Sequence, residues 1–255
     1  MGKVIAFANN KGGVAKTTSV CNIGFALANH GKKVLFIDLD SQANLTSLVS
    51  DIPVDEHLND IMDAFLSKES LPVEKINENV DLVPSGLSLA TFESKTATDN
   101  MRIYVLQDLI APIRDNYDYI LIDCPPALGT ITYIALVAAD HLVLVTMPES
   151  MSYSGMMMVG QLMKDVKSNP RLNPNLSLLG IIITKFRANK VMNAYVRKIT
   201  ADSRKLVFEP VIREEAAVLK AVSAGQRLDE FAPDCKTAQA YDEIAKEIIN
   251  RTFTE

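Results

Sequence analysis

The chain has 255 residues, 48% of them hydrophobic, and a formal net charge of −5. That length and apolar content suit one large α/β domain, expected to span residues 1–255. The three cysteines (Cys21, Cys124, Cys235) lack CxxC spacing, no run approaches the ~20 apolar residues of a membrane span, and Met1 leads into a strand without a secretory segment, so a disulfide frame, a cysteine metal site and secretion are not expected, and a cytoplasmic protein without a membrane partner is.

Val4-Ile5-Ala6-Phe7-Ala8 is a short apolar run that predicts a buried strand. From Ser19 to Asn29, Val20, Ile23, Phe25, Ala26 and Leu27 recur at helical spacing. Between them lies NNKGGVAKTT, residues 9–18. Strand, Gly-rich loop and helix form the setting of a phosphate-binding loop. Its backbone N–H groups and the helix N-terminus make a concave anion site. Lys11, Gly12, Gly13, Val14, Ala15, Lys16, Thr17 and Thr18 are the candidate nucleotide-binding residues. Lys16 supplies a point charge for the outer phosphates, and the Thr17 hydroxyl is suited to Mg²⁺. The strict P-loop pattern fails at both glycines, where Asn10 and Ala15 stand, and Lys11 is an additional lysine. The run K-G-G-V-A-K-T-T resembles the deviant Walker A motif of the ParA/MinD family of ATPases, which usually has glycine at the position of Ala15. If Ala15 is left-handed, the strain is roughly 1–2 kcal/mol, which weakens a nucleotide site without abolishing it.

Lys33–Asp38 predicts the second strand, ending in Asp38-Leu39-Asp40-Ser41-Gln42-Ala43-Asn44. Strand alternating with helix implies right-handed crossovers, a parallel sheet, and ligands at the carboxyl ends of its strands. Asp38 and Asp40 then lie beside the loop. The stretch resembles the family's Walker A′ motif, with Ser41 in place of proline. By that resemblance Asp40 orients the attacking water. Asp38 joins Thr17 and Asp123 as a candidate metal ligand. Residues 45–116 say less: helical pieces near 57–66 and 101–113, a strand over Val80–Pro84, and a solvated acidic run from Asp51 to Glu78.

Tyr117–Asp123 is a β-rich run ending in a carboxylate, the pattern of a Walker B strand whose aspartate reaches Mg²⁺. The following Cys124-Pro125-Pro126 completes a corner that resembles the family's D-x-P-P, and Gly129 offers a hinge after it. Cys124 lacks the second cysteine that a bridged iron–sulfur cluster needs. Strands follow at His141–Met147 and Leu176–Thr184, with a helix over Ser152–Lys167 whose Met156, Met157, Met158 and Met163 are expected in the core. Basic helical material over Lys190–Lys205 precedes a short strand, Val207–Ile212. Residues 236–252 predict a terminal helix. Its polar face carries as many acids as bases, unlike the Lys/Arg-rich face of a membrane-surface helix, so it is expected to dock on the sheet.

Lys185 to Arg227 holds ten basic against four acidic side chains, a local charge of +6 that leaves −11 on the rest of the chain. Lys185, Arg187, Lys190, Arg197, Lys198, Arg204, Lys205, Arg213 and Lys220 are the candidate DNA-binding residues; charge alone fits a solvated face equally well. Arg213 follows Ile212 where the family usually has proline and arginine near the base. The resemblance runs over nearly the whole chain and is firmest at 3–47 and 117–130. It implies a doubly wound, mostly parallel sheet with helices on both faces, of the P-loop NTPase, deviant Walker A class. It further implies ATP and Mg²⁺ as cofactors and a homodimer sandwiching ATP, with Lys11 reaching the partner's nucleotide. Lys11, Lys16 and Asp40 are then the catalytic set of a weak ATP hydrolase stimulated by a ParB-type partner. The dimer would bind DNA without sequence preference and act at the nucleoid in plasmid or chromosome partition. With Met1 abutting the first strand, the pattern matches the small ParA subclass. The alternatives are a ParA-like positioner of another cargo, a MinD-like membrane-cycling regulator, and a nucleotide-binding scaffold without turnover.

Overall fold

The computed structural model describes residues 1–203 and 205–253. In chain order the elements are β1 (Lys3–Ala8), α1 (Lys16–Asn29), β2 (Val34–Asp38), α2 (Asn44–Val49), α3 (Ile61–Ser67), β3 (Glu74–Lys75), β4 (Val80–Val83), α4 (Phe92–Lys95), α5 (Val105–Ile110) and β5 (Tyr119–Asp123). There follow α6 (Thr130–Ala138), β6 (His141–Thr146), α7 (Ser150–Ser168), β7 (Ser177–Ile183), α8 (Lys190–Ser203), α9 (Ala216–Ser223), α10 (Leu228–Phe231) and α11 (Lys236–Phe253).

The strands form one sheet in the order β3-β4-β2-β5-β1-β6-β7, parallel except for the short β3. Strand β1 lies between β5 and β6, and the chain winds outward from it in both directions. That reversal makes the carboxyl end of β1 the crevice where an open α/β sheet binds ligands. Its register sets Asp123 beside Phe7 of β1 and beside Asp38 of β2.

Alternate β1 side chains serve the two faces. Val4, Ala6 and Ala8 pack with α3, α5, α6 and α7, and Ile5 and Phe7 pack with α1 and α11. Both faces are thus covered, as a parallel sheet requires. Helix α1 comes so close to β2 that a Cβ on Gly24 would overlap the Phe36 ring. Helix α11 buries Tyr241, Ile244, Ala245 and Ile248 in the α1 face. Its apolar stripe is therefore used for docking, as its charge pattern predicts, and is not free for a membrane surface.

Several expectations are corrected. Residues 207–212 form no strand of the sheet; Val207 bridges Ile181, and the N–H groups of Phe208 and Ile212 donate to the carbonyls of Ile181 and Ile183 at the edge of β7. The 101–113 stretch is α5 flanked by single 3₁₀ turns. The antiparallel edge strand β3 has no signature in the sequence, because two residues carry no periodicity. Met156 is buried, but Met157 and Met158 are 53% and 52% exposed. Consecutive helical residues are about 100° apart, so three in a row cannot all face the core. Among the described residues no helix is long and apolar enough to cross a membrane.

Candidate nucleotide site

The loop between β1 and α1 carries two left-handed residues, Gly13 at φ 77° and Ala15 at φ 60°, ψ 31°. Glycine adopts this conformation freely, whereas for alanine it costs about 1–2 kcal/mol. The strain allowed for in the sequence is therefore present. Ala15 also occupies the N-cap of α1, with no side-chain cap.

Just inside the helix, Lys16 Nζ donates to Asp123 Oδ1 at 2.5 Å, and Thr17 Oγ1 donates to Asp123 Oδ2 at 2.6 Å. Lys16 is 6% exposed and Asp123 is fully buried. Burial alone would lower the Lys16 pKa, but the adjoining Asp123 carboxylate outweighs it, and the ammonium is held above its ordinary value. Burial pushes the Asp123 carboxyl up, opposed by Lys16 and Thr17 and reinforced by the charge of Asp40. Asp38 is likewise raised, first by burial and then by Asp123. Lys16 is thus the one buried ammonium of the cluster, bonded to Asp123 and acted on through space by Asp40.

The two Walker A′ aspartates differ in their bonding. Asp38 Oδ2 accepts from the Thr46 N–H and hydroxyl, both at 2.9 Å, and its Oδ1 accepts from the Asp40 N–H at 3.0 Å. Asp38 therefore organises the turn that carries Asp40. The Asp40 carboxylate accepts from the Gln42 N–H at 3.0 Å, and Ser85 Oγ fixes its backbone carbonyl.

Among the described residues no group of three or more His, Cys, Asp and Glu side chains could hold a metal unaided. Thr17 and Asp123 nevertheless offer hard oxygen ligands side by side, the hydroxyl bonded to the carboxylate at 2.6 Å. That donor set fits Mg²⁺, which commonly takes few protein ligands and the rest from phosphates and water. Burial pushes the Cys124 thiol up to about 12, consistent with an inert core cysteine.

Lys11 does not join this cluster. Its ammonium is ion-paired with Glu149, the N-cap residue of α7, whose carboxylate also accepts from Ser152 Oγ at 2.9 Å. In the sequence Glu149 falls between the strand His141–Met147 and the helix Ser152–Lys167 and carries no role. Its place at the carboxyl end of β6 is the available signal. Also without a sequence signal are four buried side chains that support the loop: Asn9, Ser19, Thr184 and Tyr241. Asn9 Nδ2 donates to the Val145 and Ser152 carbonyls at 2.7 and 3.3 Å.

The candidate DNA-binding residues spread over several elements. Lys190, Arg197 and Lys198 lie on α8, and Lys198 Nζ stands 4.2 Å from the centroid of Tyr153. Lys205, Arg213 and Lys220 are exposed, and Lys185 is partly buried in a left-handed turn after β7. Arg187 pairs with Glu214 at 2.5 Å. Arg204 lies outside the described residues. Arg227, counted in the basic stretch, is paired with Asp229 and Glu230 and stacked on Phe25.

A family model described as an AAA domain matches residues 2–178. The chain is 32% identical over 261 aligned residues to the chromosome-partitioning ATPase Soj of Treponema pallidum, covering 98% of each chain. Its fold superposes with a TM-score of 0.85 on cobyrinic acid a,c-diamide synthase from Mycobacterium smegmatis with bound ADP and magnesium, at 29% identity over 100% of this chain and 96% of that one. The cell division ATPase MinD of Pyrococcus furiosus superposes with a TM-score of 0.79 at 25% identity, over 98% and 99% of the two chains.

Proposed function

The chain belongs to the ParA/MinD family of ATPases, and from that premise we propose that it is a partition ATPase that binds Mg²⁺-ATP, dimerises around it and holds DNA without sequence preference. The loop amides and Lys16 take the phosphates. Thr17 and Asp123 would hold the cation, which would supply positive charge to neutralise the phosphates. Lys16, paired with Asp123 here, would turn its ammonium to the phosphates. Asp40, tied down through its backbone by Asp38 and Ser85, keeps its carboxylate available to orient water.

The observation that carries this reading is the direction of Lys11. Lys16 already serves its own loop, and Lys11 turns instead to Glu149 at the head of α7. A lysine displayed there suits the nucleotide of a second copy, with each subunit donating the same residue. The exposed cations of α8 and Lys205, Arg213 and Lys220 supply sequence-independent phosphate contacts. On this reading the dimer acts in the cytoplasm at the nucleoid. A ParB-type partner stimulates hydrolysis, and the whole of residues 1–255 works as one ATPase domain.

The test is retention of unrelated duplexes by the protein with ATP, with ADP and without nucleotide. ATP-dependent, salt-sensitive retention of every duplex is expected. Retention that ignores nucleotide, or none with ATP, overturns the reading.

A further inference from the structure

The P-loop's amide donors must point into the anion site, and a peptide plane is rigid with its C=O and N–H opposed. A group that pins the carbonyl of one residue therefore aims the N–H of the next. Thr184, just past β7, has its hydroxyl 2.8 Å from the Val14 carbonyl and 3.2 Å from the Thr146 carbonyl; its one proton goes to the nearer, and so fixes the Ala15 N–H. Ser19 donates both its N–H and its hydroxyl to the Ala15 carbonyl, at 2.9 and 2.8 Å, and so fixes the Lys16 N–H. The Ser19 hydroxyl has one proton, and that proton is used. The 3.1 Å contact between Ser19 Oγ and the Tyr241 hydroxyl is then a donation from Tyr241. All three side chains are buried: Thr184 and Ser19 are 0% and Tyr241 is 2% exposed.

We propose that Thr184 and, through Ser19, Tyr241 are positioning residues of the phosphate cradle, holding the strained Ala15 in the left-handed conformation that aims two consecutive loop amides at the nucleotide. The proposal rests on the nucleotide-site reading above. The tyrosine comes from the last helix of the chain, 222 positions from the serine it holds. Helix α11 thereby acts on nucleotide affinity as well as on packing. The departure Ala15 supplies the reason. An alanine prefers to leave the left-handed region, and pinned carbonyls prevent it.

The experiment is calorimetric titration of Mg²⁺-ADP into the full-length protein and its variants, with thermal midpoints recorded alongside. Tyr241→Phe keeps the ring and removes only the donor. It should weaken ADP about two- to tenfold, the range of one neutral hydrogen bond. Thr184→Val should do the same, and Thr184→Ser, which keeps the hydroxyl, should bind like wild type. The discriminating arm is a double-mutant cycle with Ala15→Gly. Glycine needs no restraint to remain left-handed, so the Tyr241→Phe loss should shrink in that background. Support requires this non-additivity. Wild-type affinity in Tyr241→Phe, or equal losses with and without Ala15→Gly, overturns the proposal and leaves Tyr241 a packing residue. If Tyr241→Phe does not fold, the Thr184→Val and Thr184→Ser pair decides, since β7 does not depend on α11's hydroxyl. Failure of the wild-type protein to bind ADP overturns the nucleotide reading itself, and the proposal with it.

Discussion

The ammonium of Lys11 and the carboxylate of Glu149 form an ion pair that links the phosphate-binding loop to the head of α7. The pair holds the one loop lysine that does not serve the Asp123 cluster. Lys11→Ala should therefore bind nucleotide as a monomer and fail to form an ATP-dependent dimer. Light scattering with a non-hydrolysable ATP analogue measures this, and a normal dimer would mean that Lys11 acts in cis or not at all.

The same pair predicts a pH dependence. The hydrogen bond from Lys11 is the main cause holding the Glu149 carboxyl below its ordinary value of 4.5. A depressed carboxyl contributes stability that is present above 4.5 and is lost as pH falls through the lower, folded-state value. The side chains are 28% and 35% exposed, so water screens the pair and about 0–1 kcal/mol is expected. The difference in thermal midpoint between wild type and Glu149→Gln should be present at neutral pH and shrink as the pH falls below 4.5. A difference that does not change with pH would show that the charge is not what matters.

Lys16→Ala should abolish ATP binding by calorimetry and also lower stability. It strands the buried Asp123, and breaking a buried pair typically costs about 3–5 kcal/mol. Adding Asp123→Asn should restore part of the stability and none of the binding. ATP affinity close to wild type in Lys16→Ala would refute the cradle assignment.

Asp40→Ala should still bind ATP, because Asp40 lies outside the Lys16–Thr17–Asp123 contacts. Hydrolysis should fall on the order of 10²- to 10⁴-fold, the usual worth of a positioned acid–base group, and the ATP dimer should persist. Phosphate release at the wild-type rate would remove Asp40 from the catalytic set.

Charge reversal at Arg197 and Lys198 on α8 should weaken DNA binding alike for unrelated duplexes. Its salt slope should fall by roughly one for each phosphate no longer neutralised. Nucleotide affinity should not change, since both side chains are exposed and Lys198 lies over Tyr153 of α7. Fluorescence anisotropy across a salt series measures both effects; an unaltered slope would make α8 a solvated face.

The sequence by itself determined the sheet and the place of the Gly-rich loop at its centre. Each of β1, β2, β5, β6 and β7 is a continuous apolar run, because a parallel strand buried on both faces leaves no polar alternation to obscure it. The loop motif carried its own geometry: Gly13 and Ala15 are left-handed because the turn from β1 into α1 requires it. Lys16 and Thr17 were legible from the loop motif and Asp123 from its place at the end of β5. What the sequence did not carry were partners far apart in the chain. Nothing near Lys11 signals Glu149, nothing near Val14 signals Thr184, and nothing in α1 signals Tyr241. Nor could the run Met156–Met158 reveal which methionine points inward until the helix phase was fixed by docking on the sheet. These relations exist only after crossovers bring β6, β7 and α11 around the loop. Motif spacing reports local backbone geometry, and long-range side-chain pairing is decided by packing.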